Sequence, residues 1–136
     1  MIDIAAIDHV VFRVKDMAAM IRFYGDILGA RVEREVPEYG LVQLRAGTSL
    51  IDLVDVGGKI GQKGGAAPGE GGHNVDHVCF RVLPWDGEAI IAHLAAHGIA
   101  ESEINSRYGA QGFGPSIYLR DPEGNALELK GPPEKV

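Results

Sequence analysis

At 136 residues, with 46% hydrophobic and 24% charged side chains, the chain is long enough to bury a core and has the composition of an ordinary globular protein. A net charge of −6 without a basic cluster excludes a nucleic-acid or anionic-membrane surface. No apolar run reaches membrane-spanning length. Asp3 interrupts the N-terminal segment and no basic region precedes it, so no signal peptide is expected and the expected compartment is the cytoplasm; the single cysteine, Cys79, excludes an internal disulfide and fits a reducing environment.

The first predicted element is the strand Asp8-His9-Val10-Val11-Phe12-Arg13-Val14. At the two-residue period of a strand, His9, Val11 and Arg13 share one face while Val10, Phe12 and Val14 share the other. Asp16 is a good N-cap for a helix whose apolar stripe is Met17, Met20, Ile21, Tyr24, Ile27 and Leu28, with Gly29 as its stop. Three β-like runs follow, Ala30 to Val36, Leu41 to Arg45 and Ser49 to Val56, completing a βαβββ unit over 1–56. Residues 57–74 are rich in glycine and read as a linker; the spacing of a phosphate-binding loop is absent, and His73 is expected to be exposed.

The first strand then recurs half a chain later as Asp76-His77-Val78-Cys79-Phe80-Arg81-Val82, so the chain reads as two tandem modules, the second covering 75–136. The second module repeats the plan: a strand over 75–82, an Asp86 N-cap, a helix built on Ala89, Ile90 and Leu94 ending at Gly98, and β-runs Ala100 to Ser106, Pro115 to Arg120 and Asn125 to Lys130. Asp121 to Asn125 reads as a tight turn. His93 and His97 stand four apart near the helix C-terminus, where the helix dipole favours cationic histidine and no third ligand is close in sequence.

Aligning the last strands sets Asp52, in Leu50-Ile51-Asp52-Leu53, against Glu128, in Ala126-Leu127-Glu128-Leu129. A carboxylate between aliphatics in a buried strand needs a cation, a proton or a hydrogen-bond partner. One reading is a salt bridge to Arg13 or Arg81. The other joins His9, Asp52, His77 and Glu128 into one site of two imidazoles and two carboxylates, suited to Zn, Ni, Mn, Co or Fe(II), one ion per site.

On Asp8-His9-Val10, Phe23-Tyr24 with Leu28-Gly29, Val75-Asp76-His77-Val78, and Asp121-Pro122-Glu123-Gly124-Asn125 followed by Leu127-Glu128-Leu129, the chain resembles the vicinal oxygen chelate superfamily over nearly its whole length. That superfamily includes glyoxalase I, methylmalonyl-CoA epimerase, fosfomycin-resistance proteins, bleomycin-resistance proteins and extradiol dioxygenases. The resemblance implies an α+β fold, a single domain of two tandem βαβββ modules forming a cupped mixed sheet around a divalent metal, and a homodimer. It matches His9, His77 and Glu128 to ligand positions. The remaining ligand position, often Glu or Gln in relatives, is Asp52 here. Its side chain is one methylene shorter and stops about 1.5 Å short, which suits a water-mediated ligand or a base. Glu128 and Asp52 are thus the expected catalytic carboxylates.

Arg13 lies roughly 13 Å along the strand from His9, where it either meets an anionic tail of the substrate or forms a structural salt bridge. Arg107, Tyr108 and a loop over 109–114 are expected either to cover a small-molecule substrate or to turn a corner. The implied activity is a metal-dependent lyase, isomerase or transferase acting on a small oxygenated molecule. The alternatives are an Fe(II) dioxygenase and a metal-free, drug-binding resistance protein.

Overall fold

The structure is a computed structural model that describes residues 1–100 and 102–134. It divides into two compact units, Met1–Asn74 and Val75–Val136. Each is built on an open four-stranded mixed sheet.

In the first unit the strands are β1 (His9–Val14), β2 (Val32–Val36), β3 (Leu41–Ala46) and β4 (Ser49–Asp55), in the order β1-β4-β3-β2. β1 runs parallel to β4 and the other neighbours are antiparallel. The alternation expected for β1 is what burial shows, with Phe12 and Val14 fully buried and His9 exposed. Those two side chains join Leu44, Ile51, Leu53 and, from the helix, Met20, Phe23 and Tyr24 in the core. The burial of this apolar face, rather than helix propensity, holds a helix this short in place.

That helix, α1 (Met17–Arg22), starts where Asp16 accepts a hydrogen bond from the Ala19 amide at 3.0 Å. It does not continue as an α-helix to Leu28. From Phe23 to Ile27 the backbone widens into a π-helical turn, and the neighbouring rings of Phe23 and Tyr24 are both buried, edge to face at 5.1 Å. Gly29 ends the element at φ +73°, the left-handed conformation that glycine adopts without strain.

The segment expected as a linker is ordered within this unit. Residues Gly61–Gly64 form a 3₁₀ turn, and the Asn74 side chain closes the segment by bonding the Arg13 backbone at both its amide (3.0 Å) and its carbonyl (3.1 Å). His73 is exposed.

In the second unit, β5 (Val78–Arg81), β6 (Asn105–Gly109), β7 (Gly112–Arg120) and β8 (Ala126–Lys130) repeat the arrangement as β5-β8-β7-β6, with β5 parallel to β8. Helix α2 (Gly87–Ala96) is capped by Asp86, which accepts from the Ala89 amide at 3.1 Å, and buries Leu94. Gly98 follows it at φ +82°. The core strands contribute Ile117, Leu119, Leu127 and Leu129. Asp121 ties the β7–β8 turn, accepting from the Glu123 and Asn125 amides and from the Asn125 side chain at 2.8–3.0 Å.

Two expectations need correction here. The strand placed at Ala100 to Ser106 begins at Asn105; Glu101, inside that run, lies outside the described residues. The stretch 109–114 is not a loop but the end of a β-hairpin, with Tyr108 paired to Phe113 and Arg107 to Gly114. Gly114 is demanded by close approach, since a Cβ there would meet the Pro132 carbonyl oxygen at 2.8 Å.

Candidate functional site

In both units the sheet face away from the core carries a row of polar groups centred on one buried carboxylate. Register dictates the row. On β4, Asp52 lies opposite Val11 of β1 and Gln43 of β3, and on β8, Glu128 lies opposite Cys79 of β5 and Tyr118 of β7. Both carboxylates are 5% exposed and therefore need partners.

Asp52 is met by an amide. Gln43 Nε2 donates to both carboxylate oxygens at 3.2 Å, and the Gln43 carbonyl oxygen accepts from Arg34 Nη1 at 3.0 Å, which fixes which way the amide points. His9 Nε2 stands 4.0 Å from Asp52 Oδ2, while His9 Nδ1 is 2.7 Å from Asp8 Oδ1. The Asp8 hydrogen bond first, and the Asp52 charge second, raise the imidazole above the usual histidine range.

Glu128 is held by hydroxyls. Ser116 Oγ donates to its Oε2 at 2.6 Å, and Tyr118 also hydrogen bonds to the carboxylate. Behind Ser116 lies Lys130, only 3% exposed, whose ammonium donates to Ser116 Oγ at 3.3 Å, to the Gly114 carbonyl at 3.2 Å and to the Arg107 carbonyl. Burial pushes the Glu128 carboxyl up, but the Ser116 and Tyr118 hydrogen bonds with the charges of Lys130 and His77 outweigh it. The group is held below its ordinary range and stays ionised at neutral pH. Its Oε1 stands 3.4 Å from His77 Nε2, and His77 Nδ1 is 2.6 Å from Asp76 Oδ1.

The Tyr118 ring lies edge to face on His77 at 5.9 Å. Burial and the Glu128 hydrogen bond push its phenol up, against a smaller lowering by Arg107, which also hydrogen bonds to it. The Cys79 thiol is pushed up to about 11, by burial first and by Glu128 next, so it is a neutral neighbour of the carboxylate.

The residues singled out by sequence fall into three groups. His9 with Asp52, and His77 with Glu128, come together as two equivalent imidazole–carboxylate pairs, one in each unit. Neither carboxylate takes the salt bridge to Arg13 or Arg81 that the spacing allowed. Arg13 directs its guanidinium at the carbonyls of Gly61 (2.9 Å), Gly64 (3.3 Å), Gly65 (2.7 Å) and Ala66 (3.0 Å), and Arg81 donates to the Gly131 carbonyl. In both units this repeated arginine ties down the chain that leaves the last strand. Arg107 reaches Tyr118 on the Glu128 side of its sheet, whereas Tyr108, next in the strand, is on the opposite face with its ring against Phe113.

Gln43, Ser116 and Tyr118 were missed by sequence reasoning. For Gln43 and Tyr118 the signal was present in the alternation, a polar residue between aliphatics in Val42-Gln43-Leu44 and in Ile117-Tyr118-Leu119, one strand from each carboxylate; Ser116, preceded by Pro115, carried no such signal.

The donor chemistry can be tested against a divalent ion. Two ligand atoms about 2.1 Å from a tetrahedral metal stand about 3.4 Å apart. The His77 Nε2 to Glu128 Oε1 separation of 3.4 Å meets that spacing, and the 4.0 Å of His9 to Asp52 is wider. The donors fit. Each unit taken by itself supplies one imidazole and one carboxylate; among the described residues no group of three or more His, Cys, Asp or Glu is gathered to hold a metal.

Comparison with known proteins agrees with the fold. The chain is 26% identical over 130 residues to virulence protein STM3117 of Salmonella typhimurium, covering 90% of this chain and 81% of that protein. The crystal structure of STM3117 superposes with a TM-score of 0.78 over 96% of this chain and 99% of that one. A structure from the mobile metagenome of V. Pseudocholerae gives 26% identity and a TM-score of 0.78, over 96% and 97%. Lactoylglutathione lyase of Agrobacterium tumefaciens, at 23% identity and a TM-score of 0.65 over 95% of each chain, shares the fold. The profile of one family matches residues 6–129, and the chain therefore belongs to the glyoxalase/bleomycin resistance protein/dioxygenase superfamily.

Proposed function

We propose that the protein is a divalent-metal-dependent enzyme, a lyase, isomerase or transferase, that acts on a small oxygenated substrate, with His9, Asp52, His77 and Glu128 as the ligand set. The observation that carries this reading is the repetition of one device. Each unit points an imidazole Nε2 at a buried carboxylate, at 4.0 and 3.4 Å, and in each the other ring nitrogen is taken by an aspartate. The reading also draws on the lyase among the structural relatives.

His9, Asp52, His77 and Glu128 would hold a divalent ion, which would supply Lewis-acid stabilisation of negative charge developing on the substrate. The chain's own groups divide the remaining work. Glu128, with one oxygen fastened by Ser116 and the other facing His77, is the better direct ligand. Asp52, with both oxygens taken by the Gln43 amide and a wider gap to His9, serves as the proton acceptor or as a ligand through water. Arg34, hydrogen bonded to the neutral Gln43, and Arg107, bonded to the Ser106 carbonyl and to Tyr118, keep positive charge on these faces for an anionic substrate group.

Metal analysis of protein purified without added metal, followed by activity screens with the metal found, tests the reading. A bound first-row ion and turnover that chelators abolish are expected. No bound metal and no calorimetric signal with Ni, Mn, Zn, Co or Fe(II) would overturn it and leave a binding protein instead.

A further inference from the structure

We propose that Asp8 and Asp76 are positioning residues that fix the tautomer of His9 and His77, so that each ring presents its Nε2 lone pair to the metal. The inference rests on the metal reading given above. It comes from a contact that occurs twice, His9 Nδ1 to Asp8 Oδ1 at 2.7 Å and His77 Nδ1 to Asp76 Oδ1 at 2.6 Å. An ionised carboxylate only accepts hydrogen bonds, so at these distances Nδ1 carries the proton and donates it. A neutral ring then has its lone pair on Nε2, the atom that faces Asp52 in one unit and Glu128 in the other.

The side chains of Asp8 and Asp76 are 90% and 97% exposed, so neither is packed into the core of its unit. An exposed pair between adjacent residues contributes little to stability. Its value is orientation: a carboxylate behind a ligating histidine sets ring angle and tautomer, and losing it typically costs 10–100-fold in metal affinity. Both halves of the repeat keep the Asp-His dipeptide at the start of their first strand's sequence although the position opposite each buried carboxylate differs, Val11 in one and Cys79 in the other.

The test uses long-range nitrogen–proton NMR correlations of the ring nitrogens in metal-free, full-length protein, at a pH where the imidazoles are neutral. Signals are assigned with His9→Gln and His77→Gln. His9 and His77 should be Nδ1–H tautomers in the wild type. Asp8→Ala and Asp76→Ala should each switch the neighbouring histidine to the Nε2–H form that free imidazole side chains favour. Asp8→Asn and Asp76→Asn, whose amide oxygens still accept, should retain the Nδ1–H form. Calorimetry with Zn or Ni should give a Kd weakened at least about tenfold in each alanine variant and largely restored in the asparagine ones. An Nε2–H signal in the wild type, or an Nδ1–H signal that survives both alanine substitutions, overturns the proposal. A switched tautomer with unchanged metal affinity refutes the positioning role. If the wild type takes up no metal while the tautomers behave as stated, the functional reading fails and the tautomer assignment stands.

Discussion

Replacing Ser116 with alanine removes the shortest hydrogen bond to Glu128 and one of the three acceptors of the buried Lys130 ammonium, while leaving the carboxylate otherwise as it was. A hydrogen bond to a charged group contributes about 1.5–3 kcal/mol, and Ser→Ala removes one oxygen and creates no large cavity. The loss at neutral pH should therefore fall in that range. The pH dependence follows from the direction of the Glu128 shift. A carboxyl held below its ordinary value in the folded state adds stability above its unfolded pKa, and that stability is lost as pH falls through the folded one.

Taking away the Ser116 bond removes a lowering influence, so the variant has less of this stability to lose. The difference between wild type and Ser116→Ala should be largest at pH 7 and shrink toward the ~0.5–1.5 kcal/mol of a neutral hydrogen bond below the acid transition. Urea unfolding of both proteins, followed by circular dichroism from pH 7 to pH 3, measures it. A difference that stays constant across that range would refute the ionised, hydroxyl-held picture of Glu128.

The two carboxylates should separate under mutation. Glu128→Ala is expected to lose metal and activity together, whereas Asp52→Asn, still able to bond Gln43, keeps most of its metal and turns over slowly. Equal metal loss in calorimetric titrations would make Asp52 an ordinary ligand. Mixing His9→Ala chains with Glu128→Ala chains should restore part of the activity if the two halves of a site come from different protomers; no recovery despite demonstrated subunit exchange would place each site within one chain. Arg13→Ala should cost about 1–2 kcal/mol and open residues 61–66 to proteolysis, with no rescue by lysine, whose single ammonium cannot serve four carbonyls. Unchanged cleavage of that segment in limited proteolysis would contradict the anchoring role.

Much of the architecture was legible because it depends on local pattern. The Asp-His repeat revealed two modules, and strand alternation placed Phe12 and Val14 in the core with His9 on the other face. Asp16 and Asp86 cap helices as their residue type suggests, and Asp121 ties its turn through the contacts such turns use. The π-helical turn at Phe23 was not legible, because it answers to how two adjacent rings pack. Nor was the β6–β7 hairpin. Glycines 109, 112 and 114 read as loop punctuation, yet a Cβ on Gly109 would meet the Lys130 side chain at 2.8 Å and one on Gly114 the Pro132 carbonyl, so tertiary crowding selected those two, while Gly112 supplies the positive φ of +105° at the hairpin turn.

The candidate site divides in the same way. The imidazoles and carboxylates announce themselves by being polar in apolar strands. The partners that decide their roles, Gln43 for Asp52 and Ser116 with Tyr118 for Glu128, lie on neighbouring strands, and only the register identifies them. Arg13 illustrates the limit from the other side. Its position suggested substrate or salt bridge, and the carbonyls it binds belong to a glycine-rich segment that gives no periodic signal of its own.

The most direct test of the proposed ligand set is X-ray absorption at the metal edge of protein loaded with one equivalent of zinc or cobalt. Two imidazole nitrogens at about 2.0–2.1 Å and carboxylate oxygen in the same shell are predicted, falling to one imidazole in His77→Gln and in His9→Gln. A first shell containing sulfur, or one in which the imidazole count is unchanged by both substitutions, would contradict the assignment of His9 and His77 as ligands.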